Sequence, residues 1–233
     1  MTDVTAVRRR PDQGGYARGE ETRARIVAAA LQVFGAEGYA RASTRQIATE
    51  AGVNPPALQY YFHSKEGLHR ACAQFIIGEV SDALAPRLEA AQKITDADGP
   101  ERAVAALGDI LDGLVDVSLA STQGAGWRKF MARGQADGAG PAFPLIRDGI
   151  SRPIHRACAR LLGIAIGASA DDEQTRLRTT LVLSQITALH INSENTLSIM
   201  GWDDFGGDRL SLVKALLRSH TVAAVLGKID RPG

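Results

Sequence analysis

The chain has 233 residues, of which 45% are hydrophobic and 23% charged, with a formal net charge of +1. That is enough apolar material for one large domain, or for a small domain joined to a larger one. No apolar run approaches the ~18 residues that would span a bilayer, the stretch from Ile26 to Phe34 follows no export pattern, and the two cysteines make no disulfide framework; a cytoplasmic protein without membrane contact is expected.

The charge is uneven. Residues 1–70 carry ten Lys/Arg against seven Asp/Glu, and the remaining chain 17 against 19. The basic excess therefore lies in the N-terminal third, where a polyanion would dock.

Residues 1–18 (MTDVTAVRRRPDQGGYAR) show no apolar periodicity and contain Pro11, Gly14 and Gly15, so they read as a flexible basic arm. From Glu20 the pattern becomes helical, with Ile26, Ala30, Val33 and Phe34 on one face and Gly35 and Gly38 as its stop. Ser43 or Thr44 caps a second, short helix that turns Ile47, Ala48 and Ala51 inward and closes at Gly52. Asn54 caps a third, with Pro55 and Pro56 in the first turn, where a missing amide hydrogen costs little. Leu58 and Phe62 face its core side, which leaves Gln59, Tyr60 and Tyr61 around the outside. Ser64 then caps a fourth helix at Lys65.

Two short helices joined by a glycine turn, the second showing polar and aromatic side chains, describe a helix-turn-helix whose second helix enters the DNA major groove. Beyond it every segment reads as helix. Leu68 runs to about Gln92 with a kink or end expected at Pro86, Asp98-Gly99-Pro100 opens a helix to about Ala120, and Gly124 to Arg133 is a short one. Residues 138–141 form a turn before a helix through Leu162, Asp171 or Asp172 opens a long one to about Met200, and the last ends near Leu226. The predicted fold is all-α, with a basic arm at 1–18, a helix-turn-helix domain at 19–66 and a larger helical ligand-binding and dimerisation domain at 67–233.

The ordered features T-R-x-x-I-A-x-x-A-G-V and Y-Y-F-x-S-K-E-x-L, with GEETRARIVAAALQVFGAEGYARA before them, resemble the tetracycline-repressor (TetR) family of bacterial regulators over about residues 19–70. The resemblance implies a homodimer that binds a palindromic operator in double-stranded DNA and is released by a small-molecule inducer. It assigns DNA contacts to Thr44, Arg45, Pro55, Pro56, Gln59, Tyr60, Tyr61 and Lys65. Arg45 has the fork that suits guanine O6 and N7, Gln59 can pair with adenine, and Lys65 stands at a helix N-terminus that favours phosphate. The later segments W-R-K-F-M-A-R-G-Q, P-A-F, I-x-R-P-I-H and G-W-D resemble the CecR-like branch, which usually has an acidic residue where Gly134 stands.

Trp127, Phe130, Met131, Phe143, His155 and His190 are the candidates for an inducer pocket, being large apolar groups with a few polar ones. Arg128, Lys129 and Arg133 could attract an anion, or form a solvated face. His-Arg-Ala-Cys-Ala occurs at 69–73 and again at 155–159; as a His/Cys metal site it would need both copies to meet, and no metal or cofactor is expected. Neither a nucleophile-and-base motif nor a glycine-rich phosphate loop is present, so an enzyme is not expected. The alternative to an inducible repressor is a DNA-binding dimer whose larger domain binds nothing. The apolar residues of the last two long helices, Leu177, Leu181, Leu183, Ile186, Leu189 and Ile191 with Leu210, Leu212, Val213, Leu216, Leu217, Val222 and Val225, are expected to form a four-helix dimer interface.

Overall fold

The computed structural model describes residues 13–120, 124–136 and 140–226, and the described residues are helices and their connections. The fold is all-α, as the periodicity predicts. Most of the basic arm lies outside the described residues; α1 (Gln13–Arg41) starts at Gln13, earlier than Glu20. Gly38 breaks its helical geometry with φ 79 and ψ 162, whereas Gly35 lies inside the helix and does not stop it. The next helices are α2 (Thr44–Glu50), α3 (Pro55–Phe62) and α4 (Lys65–Gln92). A boundary between residues 66 and 67 would therefore fall within the first turn of α4. That helix continues through Pro86, so the expected kink does not end it.

A 3₁₀ turn at Asp96–Asp98 leads into α5 (Gly99–Val115), which continues as a π-helical turn at Asp116–Ala120. The short α6 (Gly124–Ala136) follows, then α7 (Phe143–Ile146), which runs through a second π turn at Arg147–Ser151 into α8 (Arg152–Ile166). The single long helix expected up to Met200 is divided at Asn192 into α9 (Glu173–Ile191) and α10 (Ser193–Met200). Its last helix is α11 (Asp208–Leu226).

Ile26, Ala30, Phe34, Ile47, Ala48, Leu58, Phe62 and Leu68 bury the inner faces of the first four helices in one cluster. Neither of the two short ones, α2 and α3, would persist alone, since helices of this length are marginal in water without a packed face. The larger half is tied by polar contacts as well as by its core. Arg218 of α11 reaches Asp109 at 2.6 Å and Asp112 at 2.8 Å on α5, and Arg160 of α8 donates to the Ile94 carbonyl at 2.7 Å, closing the end of α4.

The two halves meet where α1 packs along α6. A Cβ at Gly35 would stand 2.9 Å from both the Lys129 Cβ and the Phe130 backbone nitrogen, closer than such atoms pack. The glycine read from sequence as a helix stop is thus a point of close approach between two helices. Gly35→Leu is expected to force α1 and α6 apart and to cost about 1–3 kcal/mol, the usual range for overpacking. Chemical denaturation reads this as a lower midpoint; an unchanged midpoint would show that the contact yields freely.

Candidate nucleic-acid interface and effector cavity

Three side-chain caps build the helix-turn-helix. Ser43 Oγ accepts from the Gln46 amide at 3.1 Å, Asn54 Oδ1 from the Ala57 amide at 3.2 Å, and Ser64 Oγ from the Gly67 amide at 2.9 Å. Each satisfies an amide that has no partner within its helix. Pro55 and Pro56 occupy the first turn of α3 as expected. Between α2 and α3, Gly52 takes φ 64.

On the outside of this unit Thr44, Arg45, Pro55, Pro56, Gln59 and Tyr60 are exposed, Tyr60 at 77%. An aromatic ring so open to water has no role in the core of the isolated chain. Tyr61 differs from the expectation. It is half-buried against the core while its ring meets Tyr60 edge-on at 5.1 Å. Lys65 also differs: its ammonium donates to the Ala40 carbonyl at 3.1 Å and lies 4.9 Å above the Tyr39 ring. It closes the C-terminal end of α1, where a cation opposes the helix dipole. His63, exposed and at φ 63 between α3 and α4, joins the same surface, and no periodicity signal marks it in the sequence.

The six pocket candidates separate into two groups. Trp127, Met131, His155 and His190 line a cavity of about 300 Å³ with Ile76 and Val80 of α4, Leu114 and Val117, Ile154 of α8, and Leu183 and Ile186 of α9. Thr180, Ser184 and Thr187, exposed along α9, line it as well. Its wall is thus apolar with a few hydroxyls and two imidazoles, the composition of a small-molecule site. His155 Nε2 lies 3.1 Å from Thr180 Oγ1. Leu183 and Ile186, assigned from sequence to a dimer face, turn inward here; Val213, Leu217 and Val225 are likewise buried within the subunit.

Phe130 and Phe143 do not reach that cavity. They stack at 6.0 Å around a second one of about 440 Å³, between α1 and the α6–α7 corner, with Phe34, Tyr39 and His69. The His69 ring lies 4.8 Å from Phe34 and 4.9 Å from Phe130, and Nδ1 accepts from the Ala142 amide at 3.1 Å. The Phe143 ring also fills the space beside Gly134, where a Cβ would stand 1.5 Å from Cζ. An acidic side chain at 134 has no room in this packing.

Burial sets the titration of these groups. Desolvation, with Lys65 adding repulsion, lowers His69 from 6.5 to about 4. Desolvation likewise lowers His190 to about 4, against an opposing pull from the Ser118 carbonyl and with Arg128 adding repulsion. Both cysteines of the repeated pentapeptide are buried; desolvation raises the Cys72 thiol and pushes Cys158 up to about 12. Among the described residues no three His, Cys, Asp or Glu side chains group as metal ligands, and no helix is long and apolar enough to cross a membrane.

Comparison with known proteins gives concordant matches. Residues 103–228 match the family described as HTH-type transcriptional dual regulator CecR, C-terminal domain, and residues 26–72 match the bacterial regulatory proteins of the tetR family. The HTH-type transcriptional dual regulator CecR of Shigella flexneri is 32% identical over 216 residues, 92% of this chain and 96% of that protein. The regulatory protein RaaS of Mycobacterium tuberculosis is 39% identical over 66 residues, 28% of this chain and 31% of its own. A TetR-like transcriptional regulator from Rhodococcus sp. RHA1 shares the fold with a TM-score of 0.63 at 20% identity, over 94% of this chain and all of that one.

The two buried imidazoles make stability depend on pH in a defined direction. Their folded-state pKa lies below the ordinary 6.5, so on acidification the unfolded chain takes up protons first. The contribution is complete above 6.5 and is lost as pH falls toward 4. Denaturation midpoints measured from about pH 7.5 to about pH 4 are expected to fall through this window. His69→Gln, whose amide oxygen still accepts from Ala142 but does not titrate, should flatten part of the slope; an unaltered slope would place the effect elsewhere.

Proposed function

Since the chain belongs to the TetR family of transcriptional regulators, in the CecR-like branch, we propose that it is a cytoplasmic homodimeric repressor. It would occupy a palindromic operator and leave when a small molecule fills the cavity between α4, α6, α8 and α9. The observation that carries the DNA half of this reading is α3: a capped, proline-started helix that presents Gln59 and Tyr60 to solvent. We assign base contact to Arg45, Gln59 and Tyr60, and backbone contact to Thr44 and the Pro55–Pro56 turn. Tyr61 supports Tyr60 from beneath. Lys65, held by the end of α1, adds positive charge. The division of labour would follow a reading unit over about residues 19–66, and an effector and dimer unit from 67 onward.

The cavity supports the inducible reading over a dimer with no ligand. α6 carries Trp127 and Met131 into the cavity wall and Phe130 into the contact with α1. A ligand that shifts α6 therefore acts on the helix that carries the reading unit. The exposed residues of the last helices supply the dimer face: Leu177 and Leu181 of α9, with Leu212, Leu216 and Val222 of α11. Leu181 is 61% and Leu216 51% exposed, more than isolated large apolar groups in one patch should be in a monomer.

Two measurements test the reading. Fluorescence anisotropy with a duplex from the DNA upstream of the chain's own gene, against a scrambled duplex at several salt concentrations, should show sequence-specific binding. Arg45→Ala should cost about 1–3 kcal/mol on the specific duplex and little on the other, the mark of a base contact. An equal loss on both would reassign Arg45 to phosphate. Independently, the paired change Leu181→Glu and Leu216→Glu places carboxylates on the proposed two-fold face. Sedimentation should then show a folded monomer with its operator affinity lost, because one half-site is a poor substitute for two. A dimer that persists would put the interface on other helices.

A further inference from the structure

His190 is 7% exposed; the Ser118 carbonyl lies near enough to act on its ring, but neither ring nitrogen makes a hydrogen bond of ordinary geometry. Buried polar groups are nearly always paired, and an imidazole without a partner is a costly thing to hold in a core. Its ring lines the 300 Å³ cavity on one side and, on the other, a groove of about 710 Å³ between α6 and the start of α10. It thus stands in the wall between an apolar chamber and a polar one.

The polar side is built around positive charge. Arg128, Lys129 and Arg133 of α6 line the groove, with Ser193, Glu194 and Asn195 at the N-terminal turn of α10. Glu194 is the countercharge there, and it pairs with Lys129 at 3.1 Å. Arg128 is half-buried and gives one N–H to the Ser118 carbonyl at 3.3 Å. Burial depresses its pKa, against an opposing pull from Glu194. Ser118 also lines the 300 Å³ cavity, so the carbonyl that holds Arg128 and the ring of His190 meet at the same partition.

We propose that His190 and Arg128 hold the head group of an organic anion, a carboxylate borne on an apolar body that fills the cavity lined by Trp127, Met131, Leu183 and Ile186. The inference rests on the cavity being the effector site and names the class of effector. A carboxylate accepts from the His190 N–H and from the Arg128 fork at once, the charge-assisted geometry for which guanidinium is suited. A neutral hydroxyl can accept from both donors but without the charge assistance that strengthens each bond. An ammonium repels Arg128 and offers no acceptor to either.

Three probes that share one body and differ in the head test this: 4-phenylbutyrate, 4-phenylbutan-1-ol and 4-phenylbutylamine, titrated calorimetrically into the intact dimer at neutral pH. The acid should bind at least about tenfold more tightly than the alcohol, as charge-assisted hydrogen bonds confer, and the amine least of all. His190→Phe, which keeps a flat ring without nitrogens, and Arg128→Met, which keeps the stem without charge, should each reduce the acid to the affinity of the alcohol. Either variant suffices if the other fails to fold. Leu183→Trp fills the cavity and should remove binding of all three.

The outcomes separate the two readings. Equal affinity for acid and alcohol overturns the anion inference and leaves the cavity standing. Acid preference that survives both substitutions overturns the assignment to His190 and Arg128. Binding that is indifferent to Leu183→Trp overturns the cavity as effector site, and no binding by any probe overturns both.

Discussion

The close approach of α1 and α6 at Gly35 is the constraint on which the arrangement depends. A glycine there lets the backbone of α6 come to within contact of α1, and Phe34 meets Phe130 across the seam at 6.3 Å. Interiors packed at this density transmit displacement because there is no slack to absorb it. Beside the seam, His69 of α4 bonds to the Ala142 amide just before α7. The reading unit therefore packs directly on α6, while α4, which continues from it, is held to the start of α7 by a buried hydrogen bond.

α6 has three faces in use. Phe130 and the Lys129 backbone touch α1, Trp127 and Met131 wall the cavity, and Arg128 borders the groove. A thirteen-residue helix with so many obligations cannot answer one of them without changing the others. Lys65 extends the chain of contacts: by holding the Ala40 carbonyl it ties the start of α4 to the end of α1, next to the recognition helix. The residue that resemblance marks as a phosphate contact is in the free chain an internal tie, and an ammonium with three N–H donors can keep that tie while donating to a phosphate.

What was legible in the sequence was what depends on local chemistry. Caps at Ser43, Asn54 and Ser64, the proline start of α3 and the inward Ile47, Leu58 and Phe62 follow from rules that act within a turn or two, and the structure shows each in place. What was not legible depends on which helix lies opposite. Gly35 reads as a stop until α6 is known to pack on it, and Leu183 and Ile186 read as a dimer face until the cavity is known to lie behind α9. Tyr61 and Tyr60 are neighbours in sequence with the same chemistry; only the position of the core assigns one to water and the other to packing. Phe130 and Phe143 look like pocket residues by composition alone, yet they stack together at the seam between the halves.

A ligand moves an equilibrium only by as much as it binds one state better than the other. In this fold that difference has a definite source, because cavity wall and inter-unit seam are neighbouring faces of one helix. A molecule that fits the cavity only when Trp127 and Met131 shift outward must carry Phe130 with them, and Phe130 cannot move without loosening its contacts with Phe34 and His69. The cost of that loosening falls on the state competent for DNA, and a ligand that fitted the cavity without moving α6 would bind without releasing anything. Affinity for the cavity and power to induce are thus separate properties, set by different faces of α6.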